Sequence, residues 1–143
     1  IALKGDGTIP ENQVKMLTDF GAFVKINQDG IYNTRSWKTF GEGPLKIVTK
    51  RAGENLKKFS EKDIRITTKD GNIYAFILAP PTEDILIKVL KKEGLLQKTI
   101  KEIQLLGSDE KIKWSQSKDG LAIQHDFKNI TNQPAICFKI ITE

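Results

Sequence analysis

The hydrophobic period of this chain changes once, and that change limits what each part can become. From Pro10 to about Asn27 the apolar residues Val14, Leu17, Phe20, Phe23 and Val24 recur at three- and four-residue spacing, which places them on one face of a helix. Thr8-Ile9-Pro10-Glu11 supplies a start signal: the Thr8 hydroxyl can accept from a free backbone amide, Glu11 can reach back, and proline is tolerated in the first turn. Gly30, just past the periodic residues, is the expected stop.

After Pro44 the period becomes two. Ile64 and Ile66 share one face and Arg65 and Thr67 the other, and Lys69-Asp70-Gly71-Asn72 turns the chain into Ile73 to Leu78 as a hairpin. Pro80-Pro81 breaks that run. Ile85, Ile87 and Val89 alternate again, Thr99 to Leu106 forms another β-rich stretch, and Gly107-Ser108-Asp109 ends it. Ile112 and Trp114 then share a face, Lys118-Asp119-Gly120 makes a turn, Leu121, Ile123 and Phe127 keep the apolar parity, and Ala135 to Ile141 closes the chain. Seven or eight short strands separated by turn signals predict a mainly β fold, an antiparallel β-sandwich preceded by one α-helix. The segment from Arg51 to Lys58, with its Gly, Asn and Lys, is expected to be a mobile surface loop.

At 143 residues the chain has room for one core with an appended element. No apolar run approaches the roughly 18 residues of a membrane span, so no membrane partner is expected. A net charge of +5 is a modest excess. The basic pairs Lys50-Arg51, Lys57-Lys58 and Lys91-Lys92 stand beside loop residues and do not alternate with aromatics, which argues for solvated faces and against nucleic acid. The chain opens at Ile1 without an initiator Met or a charged-then-apolar leader, and the expectation is that a leader or a whole domain precedes it.

Candidate chemistry is sparse. One His and one Cys give neither a structural zinc site nor a Cys/His nucleophilic pair, and no metal, cofactor or catalytic residue is assigned. His125 shares parity with Leu121, Ile123 and Phe127 and reads as a satisfied residue at the end of a core-facing strand. Cys137 fills a strand. Gly5-Asp6-Gly7 and Gly41-Glu42-Gly43-Pro44 lack the continuation of a phosphate loop and read as tight turns, with Glu42 weighed as a flexible acid in a cleft. Tyr32, Trp37 and Phe40 either stack on sugar rings or cover the seam between helix and sandwich, the second being preferred; Trp114 belongs to the core.

Taken in order, Gly5-Asp6-Gly7-Thr8-Ile9-Pro10-Glu11, the helix behind it, Asn27, Gly30-Ile31-Tyr32-Asn33-Thr34-Arg35-Ser36-Trp37 and Gly41-Glu42-Gly43-Pro44 resemble the end of the catalytic barrel in the α-L-fucosidases of glycoside hydrolase family 29. Phe59 to Thr67 with Asn72-Ile73-Tyr74-Ala75 resembles the first hairpin of that family's C-terminal β-domain. Leu105-Leu106-Gly107-Ser108 and Ile112-Lys113-Trp114 resemble its later strands. Ala2-Leu3 departs from the Gly-Pro common there.

The resemblance implies two parts: residues 1–44, the last helix of a (β/α)8-like barrel and a connecting segment, and residues 45–143, the C-terminal β-sandwich. It implies a parent enzyme that removes terminal α-L-fucose from glycans with retention, in a secreted, periplasmic or lysosomal space. The nucleophile and the sugar-contacting His and Trp residues of the family lie upstream, so neither Asp6 nor Glu42 is given a catalytic role and the fragment alone is expected to be inactive. Its partner is the parent's own barrel, with fucosylated glycan reached through the parent. A carbohydrate-binding module and a purely structural or adhesive sandwich are the rival readings. Val14, Leu17, Phe20, Phe23 and Val24, each worth roughly 1.5–3 kcal/mol when fully buried, are expected either to pack closely on the sandwich or to drive self-association.

Overall fold

The computed structural model describes residues 3–45, 58–124, 126–127 and 133–143. Most of the expected Arg51–Lys58 loop, the Lys50-Arg51 pair, Lys57 and His125 lie outside the described residues. Among the described residues one helix, α1 (Glu11–Ile31), is followed by eight strands: β1 (Arg35–Glu42), β2 (Ile64–Lys69), β3 (Asn72–Ile77), β4 (Ile85–Ile87), β5 (Ile100–Leu105), β6 (Lys113–Gln116), β7 (Leu121–Gln124) and β8 (Ile136–Thr142). They form a five-stranded sheet in the order β1-β2-β3-β8-β5 and a three-stranded sheet in the order β4-β7-β6. Every pairing is antiparallel.

The alternation in the sequence builds the core directly. Ile64, Ile66, Ile73, Ala75, Ile77, Ile136, Phe138 and Ile140 of the larger sheet face Ile85, Ile87, Leu121 and Ile123 of the smaller one, all buried. The β2–β3 hairpin is the predicted one. Asp70 and Gly71 take φ of 50° and 81°, the pattern of a two-residue turn whose twist suits the strands, and Lys69 pairs with Asn72 across it. Val89 departs from the strand expectation: it lies in a short 3-10 turn, Lys88–Leu90, directly after β4.

Three local expectations are corrected. The helix start carries no side-chain cap: the Thr8 hydroxyl and amide both donate to Asp6 Oδ1, at 2.7 and 2.9 Å, so Thr8 is occupied within its own turn. Gly30 does not stop the helix. It lies in the last turn, pressed against the sheet, and the helix ends past Ile31 where Asn33 adopts φ of 60°; tertiary contact outweighs the low helix propensity of glycine. The segment expected to connect helix to sandwich is itself a strand over Arg35–Glu42 and forms an edge of the larger sheet.

Candidate functional site

The outer face of the larger sheet carries the helix, and only the end of the helix. Asn27 and Gly30 are buried, Phe23 and Val24 half-buried, and Val14, Met16, Leu17 and Phe20 exposed, Phe20 by 63%. The expected close packing of the apolar face is therefore absent from its first two turns. Met16, Phe20, Phe23, Asn27 and Gly30 follow one another at spacings of four and three, so they share one stripe. That stripe is seated on protein at its C-terminal end and open to solvent at its N-terminal end.

The seat depends on a close approach. A Cβ on Gly30 would lie 3.0 Å from Cys137 Sγ and from Phe76 Cζ, and 3.1 Å from Tyr74 Cδ1, so any larger residue would require these side chains to give way by a few tenths of an ångström. Thr67 donates its hydroxyl proton to the Gly30 carbonyl at 3.0 Å. Beside this contact Asp29 gathers three donors: Lys69 Nζ at 2.6 Å, Lys139 Nζ at 2.7 Å and the Tyr74 hydroxyl at 2.9 Å. The hydrogen bonds from Lys139 and Lys69 hold the Asp29 carboxyl well below the usual carboxylate range, while burial and then the bond to Asp29 push the Tyr74 hydroxyl up. A carboxylate whose oxygens are claimed by two ammonium groups and a phenol clamps the helix to β2, β3 and β8. Asn27 Nδ2 donates to the Phe23 carbonyl at 2.9 Å, and its buried Oδ1 has no hydrogen-bond partner among the described residues.

The Gly-Glu-Gly corner at the end of β1 forms the second cluster. Gly41 and Gly43 have φ of 140° and 141°, and a Cβ at each would meet Ile64 O at 1.9 Å and Asp63 Oδ1 at 2.5 Å. Both positions require glycine because the chain lies directly against the backbone of residues 62–65 there, in a left-handed φ region that other residues rarely adopt. Glu42 between them is no free acid: its two oxygens accept from the backbone amides of Lys88 and Val89, at 3.0 and 2.7 Å, and cap the 3-10 turn. Asp63 is buried and accepts from the amides of Leu45 and Ser60 and from the Ser60 hydroxyl. Burial alone would raise its carboxyl, but these bonds outweigh burial and leave it below its ordinary value. The Arg65 guanidinium stands over the Phe40 and Phe59 rings, its carbon 5.2 and 5.9 Å from their centroids.

The remaining candidates from the sequence are dispersed. Tyr32 and Phe40 are exposed and Trp37 packs on the sandwich core, so the three do not jointly cover a helix–sandwich seam. Phe40 instead stacks on Arg65. Trp114 is half-buried against the core, as expected. Cys137 is buried in β8, and burial pushes its thiol well up. Asp6 accepts both the amide and the hydroxyl of Thr8 at its Oδ1. Among the described residues no three His, Cys, Asp or Glu side chains converge to hold a metal ion, and no helix is long and apolar enough to cross a membrane.

The comparisons decide the family. Residues 57–141 match the model of the alpha-L-fucosidase C-terminal domain. The chain belongs to that family. Alpha-L-fucosidase C-terminal domains are β-sandwiches, and this one keeps that form with one helix in front. Solved structures carry the same fold over the whole chain. The Thermotoga maritima alpha-fucosidase is 23% identical with a TM-score of 0.69 over 99% of this chain. Isoenzyme 1 of Paenibacillus thiaminolyticus is 19% identical with a TM-score of 0.66 over 100%, and the enzyme of Vibrio sp. strain EJY3 is 15% identical with a TM-score of 0.60 over 100%. The chain spans 29%, 30% and 22% of those structures. A comparison with curated proteins gives no match.

Proposed function

We propose that this chain is the non-catalytic C-terminal portion of a retaining exo-α-L-fucosidase of glycoside hydrolase family 29, with α1 the last barrel helix and the sandwich, which takes its edge strand β1 from residues before 45, the part that braces the barrel. The observation that carries the proposal is the single stripe Met16-Phe20-Phe23-Asn27-Gly30, buried at one end and bare at the other. Exposed apolar side chains held in line on a clamped helix are a surface built for a second body. The family match and the fraction of each fucosidase structure that the chain spans point to the catalytic barrel as that body.

The division of labour follows from the chemistry of retention. Two carboxyl groups about 5 Å apart must attack the anomeric carbon and protonate the leaving oxygen. Asp29, Asp63 and Glu42 each spend their oxygens on structural donors and are not offered for this role; on the family resemblance, both catalytic carboxylates are assigned to the barrel. Separated from a barrel, the stripe promotes association between copies.

The test compares this chain with a longer polypeptide that includes the barrel, using a chromogenic α-L-fucoside. Turnover by the longer protein, none by this chain, and a lower melting temperature of the longer protein on Phe20→Asp are the expected results. Turnover by the purified chain, or a longer protein indifferent to Phe20→Asp, overturns the reading.

A further inference from the structure

The sandwich is open along one side. β5 and β6 are terminal strands of their respective sheets, and the chain passes from one to the other through residues 106–112. A groove of about 680 Å³ lies beside this connection, lined by β5, residues 106–112 and Trp114 of β6. Its floor is apolar: Trp114 alternates with exposed Lys113 and Ser115, pairs with buried Ile123, and packs with Ile112 against the core. Its rim is polar and carries both signs of charge, with exposed Lys101, Glu102, Asp109, Glu110 and Lys111, of which Lys101 is paired with Glu143.

We propose that this groove binds a short neutral oligosaccharide, giving the domain a glycan subsite of its own; the proposal rests on the fucosidase reading only for the kind of glycan within reach. An aromatic and aliphatic floor suits the C–H face of a pyranose, while the rim offers donors and acceptors to its hydroxyls. Glu102 accepts from Gln104 Nε2 at 2.9 Å, which presents an amide and a carboxylate side by side on the rim. With three carboxylates against two ammonium groups, the rim gives no positive field that would favour a polyanion. A peptide strand is disfavoured by the edge itself. The β5 register shifts between Ile100 and Glu102, and the exposed Lys101 and Glu102 stand at that irregularity; bulges and charges are the usual defence of a sheet edge against strand addition.

The experiment titrates this chain in a Trp37→Phe background, so that indole fluorescence reports on Trp114 alone, with a fucosylated oligosaccharide, its unfucosylated core, a sulfated oligosaccharide and a β-prone peptide. Saturable binding of either neutral sugar, weakened at least tenfold by Glu102→Ala and by Lys111→Ala, is the expected result. Both substitutions are at exposed rim positions, and unchanged melting temperatures show that the fold is kept. No binding by the neutral sugars, binding unaffected by the two rim substitutions, or a preference for the sulfated sugar or the peptide overturns the proposal. None of these results depends on fucoside turnover, so failure here leaves the barrel-bracing proposal standing.

Discussion

The two ends of α1 carry the same apolar stripe under opposite conditions. At Gly30 the backbone lies against three side chains of the sheet, whereas Met16 and Phe20, earlier on the same stripe, are exposed. A continuous sequence pattern does not guarantee a continuous contact. The pattern records which face is meant to be covered, and the fold in hand covers only the part within reach of the sheet.

Substitutions at the seated end should have the largest effects. Gly30→Leu inserts a side chain where a single Cβ is already tight, and is expected to cost about 2–3 kcal/mol by overpacking. Hydrogen exchange should show the helix amides losing protection while β3 and β8 keep theirs. Equal loss throughout would mean that the helix is no separable unit.

Asp29→Ala should cost about 1–2 kcal/mol, since it leaves Lys69, Lys139 and Tyr74 without their shared acceptor while partial exposure lets water replace some of it. The Asp29 carboxyl is more acidic in the folded chain than in the unfolded one. Its contribution is therefore complete above the unfolded value of about 3.9 and is lost as pH falls through the folded value. Melting temperature against pH should be level near neutrality and fall below about pH 4, and Asp29→Asn should flatten that acid limb. An unchanged limb would assign it to Asp63 and the remaining carboxylates.

Gly21→Ala should reverse the sign. With no neighbour to meet and a helical backbone to stiffen, it is expected to add about 0.5–1 kcal/mol. The smallest effect belongs to the bare end: Met16→Ser with Phe20→Ser should change the stability of the monomer by less than about 0.5 kcal/mol. Sedimentation of the same double variant should show that self-association is lost. A large drop in monomer stability would show that these side chains already have a partner within the chain.

What could be read from the sequence was what is decided locally. Lys69-Asp70-Gly71-Asn72 specifies its own turn, and the parity of Ile73, Ala75 and Ile77 specifies which face is core. The helix start was misread because a second local bond competes for Thr8, an arrangement Asp6 makes possible two residues earlier. The clamp was not legible at all. Asp29 finds Lys69, Tyr74 and Lys139 at separations of 40, 45 and 110 residues, and Glu42 finds its amides 46 and 47 residues away. No spacing rule reaches across such distances. The Gly-Glu-Gly corner did leave a signal, since two glycines around one acid mark a backbone that must pass close to another, although the identity of that neighbour appears only in the fold.

The Asp70-Gly71 turn has an influence well beyond its two residues. It fixes the β2–β3 register, and the Thr142 hydroxyl ties the turn to β8 by donating to the Gly71 carbonyl at 2.7 Å. A slip of one residue would send Lys69 to the core side of its strand and bring an isoleucine beneath the helix. A two-residue turn thus decides whether Lys69 stands on the face where it can hold Asp29, and the seating of the helix end depends on a register set at the far side of the hairpin.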